Sequence, residues 1–272
     1  MKYRDFGKTG LKVSELVFGG GAVGGLLIEK DEATRETATA SALSAGINWI
    51  DTAPAYGNGK SEEALGRLLA GCKLPDGSPP FVSTKFQIDT MDLSDTRGQI
   101  LRSVERSLKR LNRGSTTLLQ MHNRVGMTSH GRVLAEREIL KDGGVLDILA
   151  DLQRQGLTRF FGITALGETP SILKVIETGR IHSAQVYYNL LNATAGIGVR
   201  STWTAFDFTG VLSACAQHSV AAMDIRVFSA GVIATDARHG REAPLTEGDS
   251  VESEARKARA MFDVLGARYG DR

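Results

Sequence analysis

The sequence predicts a parallel α/β fold built from repeated β/α units, on three observations. Short apolar runs alternate with amphipathic segments seven times along the chain. No linker or low-complexity tract interrupts the alternation. The 272 residues, 42% hydrophobic and 24% charged, are enough for one barrel-sized domain or two smaller ones. Regular alternation of this length admits either an open doubly wound sheet or a closed (β/α)8 barrel.

Tyr3 to Phe6 and Leu11 to Val13 flank the turn-rich Gly7-Lys8-Thr9-Gly10, predicting a β-hairpin that plugs the bottom of the fold. Leu16 to Phe18 is a short strand that runs into the glycine-rich loop Gly19 to Gly25. Asp31 is placed to cap a helix reaching Ala45, with Gly46 as its stop. Ile47 to Ile50 forms the second strand, and a helix enters at Ser61. Strands then follow at Phe81 to Phe86, Thr117 to Met121, Arg159 to Ile163, Ala184 to Tyr187 and Ala221 to Phe228. The matching helices are Ser94 to Leu111, Gly144 to Gln155, Glu168 to Thr178, Phe206 to His218 and Val251 to Tyr269. In the helix from Ser94, Ile100, Leu101, Val104, Leu108 and Leu111 make one apolar face. A closed barrel takes eight strands, so on that reading the chain is truncated after its seventh β/α unit, a single domain spanning 1–272.

Composition narrows the classes of function. Against 33 Lys+Arg stand 31 Asp+Glu, so the net charge of +2 creates no general attraction to nucleic acid or to an anionic membrane. Cys72 and Cys215 lie far apart and form no C-x-x-C pair, which argues against a disulfide framework or a zinc site. The N-terminus lacks a signal-peptide core and no apolar run reaches spanning length, so the expected location is cytoplasmic.

The chemistry concentrates at strand ends, where parallel α/β folds place it. Asp51 closes the second strand, and Tyr56 lies in the loop after it. A carboxylate and a phenol there can act as a proton-transfer pair if a cation makes the phenol sufficiently acidic. Lys85, near the end of the third strand, is that cation. Alone, a strand lysine is more often a surface residue with its head in water, but one pointing into a barrel needs a carboxylate, which Asp51 on the neighbouring strand supplies. His122 ends the fourth strand at the equivalent height; taken alone, such a histidine is more often structural.

Two phosphate-binding patterns compete. Gly19-Gly20-Gly21-Ala22-Val23-Gly24 satisfies G-x-G-x-x-G after a strand. Against a Rossmann turn, Leu26 to Lys30 separate it from the helix capped by Asp31, and Asp51 lies beyond the usual spacing of roughly 20 residues. Gly59-Lys60-Ser61 ends like a P-loop, but Pro54 occupies the position of its first glycine.

Taken together, these residues resemble the aldo-keto reductase family. The phrase from Gly46 through Asp51 and Tyr56 to Gly57, with Ser61-Glu62-Glu63-Ala64-Leu65-Gly66, is similar to its signature; Ser83-Thr84-Lys85 and Leu118 to His122 match the next two motifs in order. The resemblance runs from about Tyr3 to Tyr269. It implies a (β/α)8 barrel that binds NADP or NAD, with NADP favoured, in extended form. It further implies that Tyr56 is the general acid or base, that Lys85 paired with Asp51 strengthens it as an acid, and that His122 orients the carbonyl. Thr164 and Gln185 resemble the carboxamide contacts, Phe228 the ring that stacks on nicotinamide, with Ser229 beside it, and Gly20 and Gly21 the approach for ribose and pyrophosphate.

Two departures accompany the resemblance. Thr164-Ala165 stands where many members have Ser-Asn, and the unit that holds adenosine and the 2′-phosphate is absent. The implied substrate is a small aldehyde, ketone or sugar hemiacetal, and the glycine and Thr164-to-Gly167 motifs look more like the bacterial sugar and pyridoxal dehydrogenases. Other readings are a non-catalytic nucleotide-binding regulatory protein on the same barrel and an inactive fragment. Exposed edges at the first and seventh strands allow a homodimer as well as a monomer. The substrate-selecting loops are expected at Gln87 to Asp92, Asn123 to Gly143, Asn189 to Ala205 and Ala230 to Ser250, the second long enough for a small extra element.

Overall fold

In the computed structural model the chain is described except at residues 22, 200–202, 204, 239, 241, 243–249 and 270–272. Ala22 of the glycine-rich loop and parts of the last two substrate-selecting segments therefore lie outside the described residues.

The chain opens with the expected hairpin, β1 (Tyr3–Asp5) paired antiparallel with β2 (Lys12–Ser14). Phe6, Leu11 and Val13 from this hairpin pack with Trp49, Leu118 and Met223 in one buried cluster. The Phe6 and Trp49 rings lie 4.6 Å apart, so the hairpin plugs the bottom as its apolar residues predict.

The first parallel units are β3 (Phe18–Gly19), α1 (Leu26–Glu29), α2 (Glu32–Ser44), β4 (Trp49–Asp51), α3 (Lys60–Leu68), β5 (Phe81–Phe86) and α4 (Thr96–Arg110). The Asp31 side chain accepts from the Thr34 N–H and caps α2, and Gly46 follows that helix at φ +89°, where a side chain is strained. Next come β6 (Thr116–Met121) and, inside the long loop, β7 (Arg124–Gly126), β8 (Val133–Ala135) and α5 (Glu136–Leu140). That ribbon is the small extra element for which the loop had length. The chain continues through α6 (Val145–Arg154), β9 (Thr158–Ala165), α7 (Thr169–Glu177), β10 (Ser183–Tyr187), α8 (Val211–Gln217), β11 (Ala221–Ile225) and α9 (Val251–Tyr269).

Seven parallel strands pair in the order β11-β10-β9-β6-β5-β4-β3. Because the order follows the chain and never reverses, the sheet has no switch point, and the doubly wound alternative is excluded. The sheet is also strongly curled. Four strand spacings separate β10 from β4, about 19 Å in a flat sheet, yet Gln185 on β10 hydrogen-bonds Asp51 on β4 at 3.2 Å.

Two boundaries differ from expectation by three residues or more, for backbone reasons. The last strand ends at Ile225 rather than Phe228, because Arg226 turns left-handed at φ +58°. The helix expected from Phe206 begins at Val211, after Gly210 at φ +91°; the segment before it buries Phe208 in the core as loop.

Candidate active site

Side-chain parity assembles the site. Successive strand residues face opposite sides, so Trp49 and Asp51 share one face of β4, and Ser83 and Lys85 share one face of β5. Both faces point inward, because Trp49 joins the hairpin cluster and Lys85 bonds to Asp51 across the strands.

The Lys85 ammonium is wholly buried and lies 2.5 Å from Asp51 Oδ2, whose side chain is 13% exposed. Its other donations go to the Thr52 carbonyl at 2.9 Å and the Tyr56 hydroxyl at 3.2 Å. Burial pulls the lysine toward its neutral form, but Asp51 and Tyr56 outweigh it and hold Lys85 above the ordinary lysine range. The surface-lysine alternative is thereby excluded. The second Asp51 oxygen, Oδ1, accepts from Ser83 Oγ at 2.6 Å and Gln185 Nε2 at 3.2 Å.

Tyr56 is held by its loop. Gly57 at φ +62° packs so closely that a Cβ would lie 2.6 Å from Ile28 on α1, and the Ser61 N–H at the start of α3 donates to the Tyr56 carbonyl. The Tyr56 ring meets His122 edge-on, centroids 5.9 Å apart at 88°. The backbone N–H of His122 donates to Phe86 O at 2.7 Å, which fixes the histidine beside β5. Burial, then the charges of Lys85 and Arg132, push His122 down to about 3, so the imidazole is neutral at physiological pH. Arg132 comes from the turn between β7 and β8, which brings the extra ribbon to the edge of the site.

A buried ammonium ion-paired to a carboxylate, donating to a phenol and flanked by a neutral imidazole, is equipped to move a proton to or from an oxygen. The family assignment agrees. Residues 15–271 match the Aldo/keto reductase family. The chain belongs to that family. Among relatives, the L-galactose dehydrogenase of Arabidopsis thaliana is 31% identical over 168 residues, 61% of this chain and 49% of its own length. The aldo-keto reductase YhdN of Bacillus subtilis is 35% identical over 127 residues, 45% and 38% of the two chains. The match thus spans half or less of the length of these two relatives. The holo form of aldo-keto reductase AKR11C1 from Bacillus halodurans superposes with a TM-score of 0.65 over 89% of this chain and 72% of that one, at 21% identity, so the curled seven-strand sheet matches the fold of that enzyme.

Within the aldo/keto reductase frame, the structure brings Asp51, Tyr56, Lys85 and His122 together. Thr164 lies inside β9, one residue before its end, at the register of Gln185. It is 4% exposed and its hydroxyl has no partner. An orphaned hydroxyl beside an amide whose Nε2 is directed at Asp51 leaves a donor and an acceptor for a carboxamide, so these residues fit a nicotinamide. Gly21 lies alongside the Tyr56 ring, 3.9 Å from where its Cβ would stand. Gly20 has a different reason to be glycine: a Cβ there would lie 2.6 Å from Ser61 Oγ and 3.1 Å from Asp51 O.

Phe228 is 60% exposed, whereas Ser229 is buried and its hydroxyl donates to Glu254 on α9 at 3.0 Å. Arg226, Ser229 and Ala230 all have positive φ. Three strained non-glycine residues at the end of one strand are the kind of backbone that ligand sites retain.

Ser83 and Trp49 lie inside the quoted motifs, but sequence alone assigned neither a role, although Trp49 Nε1 donates to Ser83 Oγ at 2.9 Å directly behind Asp51. The available signal was the i, i+2 relation of Trp49 to Asp51 and of Ser83 to Lys85. Among the described residues, no group of His, Cys, Asp or Glu is arranged to hold a metal, and no helix is long and apolar enough to cross a membrane.

Proposed function

We propose that the chain is an NAD(P)-dependent oxidoreductase in which Tyr56 exchanges a proton with the oxygen of an aldehyde, ketone or sugar hemiacetal. The observation that carries the reading is the bond from the buried Lys85 ammonium to the Tyr56 hydroxyl at 3.2 Å. Because Lys85 donates to that oxygen, the phenol's own proton is left to point elsewhere, toward a substrate. As the proton leaves, the ammonium stabilises the phenolate in a site where few solvent dipoles compete. Asp51 keeps Lys85 charged and in place. His122, neutral, is suited to donating one hydrogen bond to the substrate oxygen, so it orients without adding a second charge. In the reverse direction Tyr56 takes the proton of an alcohol or hemiacetal.

Nicotinamide supplies or accepts the hydride when the cofactor is bound. Thr164 and Gln185 would hold its carboxamide, Phe228 and Ser229 line its approach, and Gly20, Gly21 and Asp51 complete the cofactor side, with NADP favoured over NAD. The sugar-dehydrogenase relative supports a hemiacetal among the substrates, and the bacterial sugar and pyridoxal dehydrogenases remain the proposed branch. No macromolecular partner is required; monomer and homodimer both fit this role, and a cytoplasmic location suits it. The test is a fluorescence titration with NADPH and, separately, NADH, following Trp49 and Trp203. Saturable quenching is the expected outcome, and a folded chain that binds neither dinucleotide contradicts the proposal.

A further inference from the structure

The geometry points to Trp49 and Ser83 as positioning residues that set the orientation of Asp51 and, through Lys85, of the Tyr56 proton. The inference rests on the reading of Tyr56 as the acid. The chain of bonds is continuous: Trp49 Nε1 donates to Ser83 Oγ at 2.9 Å, Ser83 Oγ donates to Asp51 Oδ1 at 2.6 Å, Asp51 Oδ2 holds Lys85 Nζ at 2.5 Å, and Lys85 Nζ reaches the Tyr56 hydroxyl at 3.2 Å.

The direction of the Ser83 bond follows from the donors present. A hydroxyl has one proton, and an indole N–H can only donate. Trp49 therefore occupies an acceptor site of Ser83, and the serine proton is left for the carboxylate. With Ser83 held on Oδ1, the carboxylate plane is fixed, and Oδ2 faces the ammonium. Trp49 and Ser83 are both 0% exposed, so water has no access to replace either bond. Trp49 also packs on Phe6 of the hairpin, which anchors the far end of the chain of bonds in the plugged bottom of the barrel. Neither residue touches the phenol; their action passes through Asp51 and Lys85.

The test pairs kinetics with a spectroscopic reading that needs no turnover. Ser83→Ala should lower kcat about tenfold, the loss expected for a hydrogen bond to a charged group, with KM and cofactor affinity unchanged. Trp49→Phe, which keeps a ring and removes the N–H, should lower kcat by a few-fold. The double variant should be no slower than Ser83→Ala alone, because Trp49 acts only through the serine. Two purely structural roles would add.

Independently, the chain has two tryptophans, so its indole N–H signals are assigned by the Trp49→Phe spectrum. Asp51→Asn should shift the Trp49 indole signal in the wild-type background and leave it in place when Ser83 is alanine. Unchanged kcat in Ser83→Ala, additive losses, or an indole signal indifferent to Asp51→Asn each overturns the proposal. A chain that binds cofactor but turns over no carbonyl contradicts the proposed function instead, and the indole experiment then decides the positioning role by itself.

Discussion

Replacing Lys85 with Met removes the ammonium while keeping most of the stem's bulk. The magnitude follows from the 3.2 Å separation between Nζ and the Tyr56 oxygen. A full phenolate at that distance gains about 5 kcal/mol at an effective dielectric of about 20. Only part of that charge has developed in the transition state, so about half, 2 to 3 kcal/mol, is the loss to expect, or roughly a hundredfold in kcat. Stability should fall as well. Removing one member of a buried ion pair costs about 3–5 kcal/mol, and because Asp51 keeps its bonds from Ser83 and Gln185, the lower end applies. Steady-state kinetics with a saturating carbonyl give kcat, and urea unfolding gives the stability. A Lys85→Met protein that is folded, binds cofactor and retains kcat within tenfold of wild type would refute the electrostatic role assigned to this lysine.

Other consequences are equally direct. His122 is held down to about 3 from an ordinary 6.5, so the unfolded chain takes up that proton first as the pH falls. The stability it confers is complete above 6.5 and is lost toward 3, with a slope of up to about 1.4 kcal/mol per pH unit. Urea unfolding across that window should be less pH-dependent in His122→Asn, and an equal dependence would contradict the buried neutral imidazole. Gly20→Ala should destabilise by about 1–3 kcal/mol, because its Cβ meets Ser61 and the Asp51 carbonyl, whereas Gly21→Ala, with 3.9 Å to its nearest neighbour, should fold normally. Thermal unfolding of the two variants compares them. Thr164→Val should weaken NADPH binding about tenfold, as loss of a buried hydrogen bond to the carboxamide predicts, while leaving urea stability unchanged or higher because an orphaned hydroxyl is removed; tryptophan quenching measures the first and unfolding the second.

The four residues at the centre were legible because parallel β/α repeats restrict where chemistry is placed, and Asp51, Tyr56, Lys85 and His122 occupy consecutive strand ends and one adjoining loop. Their grouping followed from strand adjacency alone. The bond from Gln185 to Asp51 did not, since four intervening strand spacings become hydrogen-bond distance only once the sheet curls. The roles of Ser83 and Trp49 were hidden for a related reason. Parity places each beside a named residue, but an inward serine or tryptophan is indistinguishable from core until its partner is known. The roles of the two adjacent glycines separated only in three dimensions, where Gly20 is excluded from having a side chain by packing and Gly21 faces the phenol. At the last strand, an apolar run suggested extended chain through Phe228, and the left-handed Arg226 broke it three residues earlier. Residue preference alone does not foretell a strained arginine.

The most direct test of Tyr56 measures oxidation of NADPH against a panel of aldehydes, ketones and aldoses with the wild-type chain and with Tyr56→Phe. The expected result is carbonyl-dependent turnover by wild type and its loss by at least about a hundredfold in Tyr56→Phe, the scale of a positioned general acid, with dinucleotide affinity retained. Turnover that survives in Tyr56→Phe would contradict the assignment of this phenol as the proton donor.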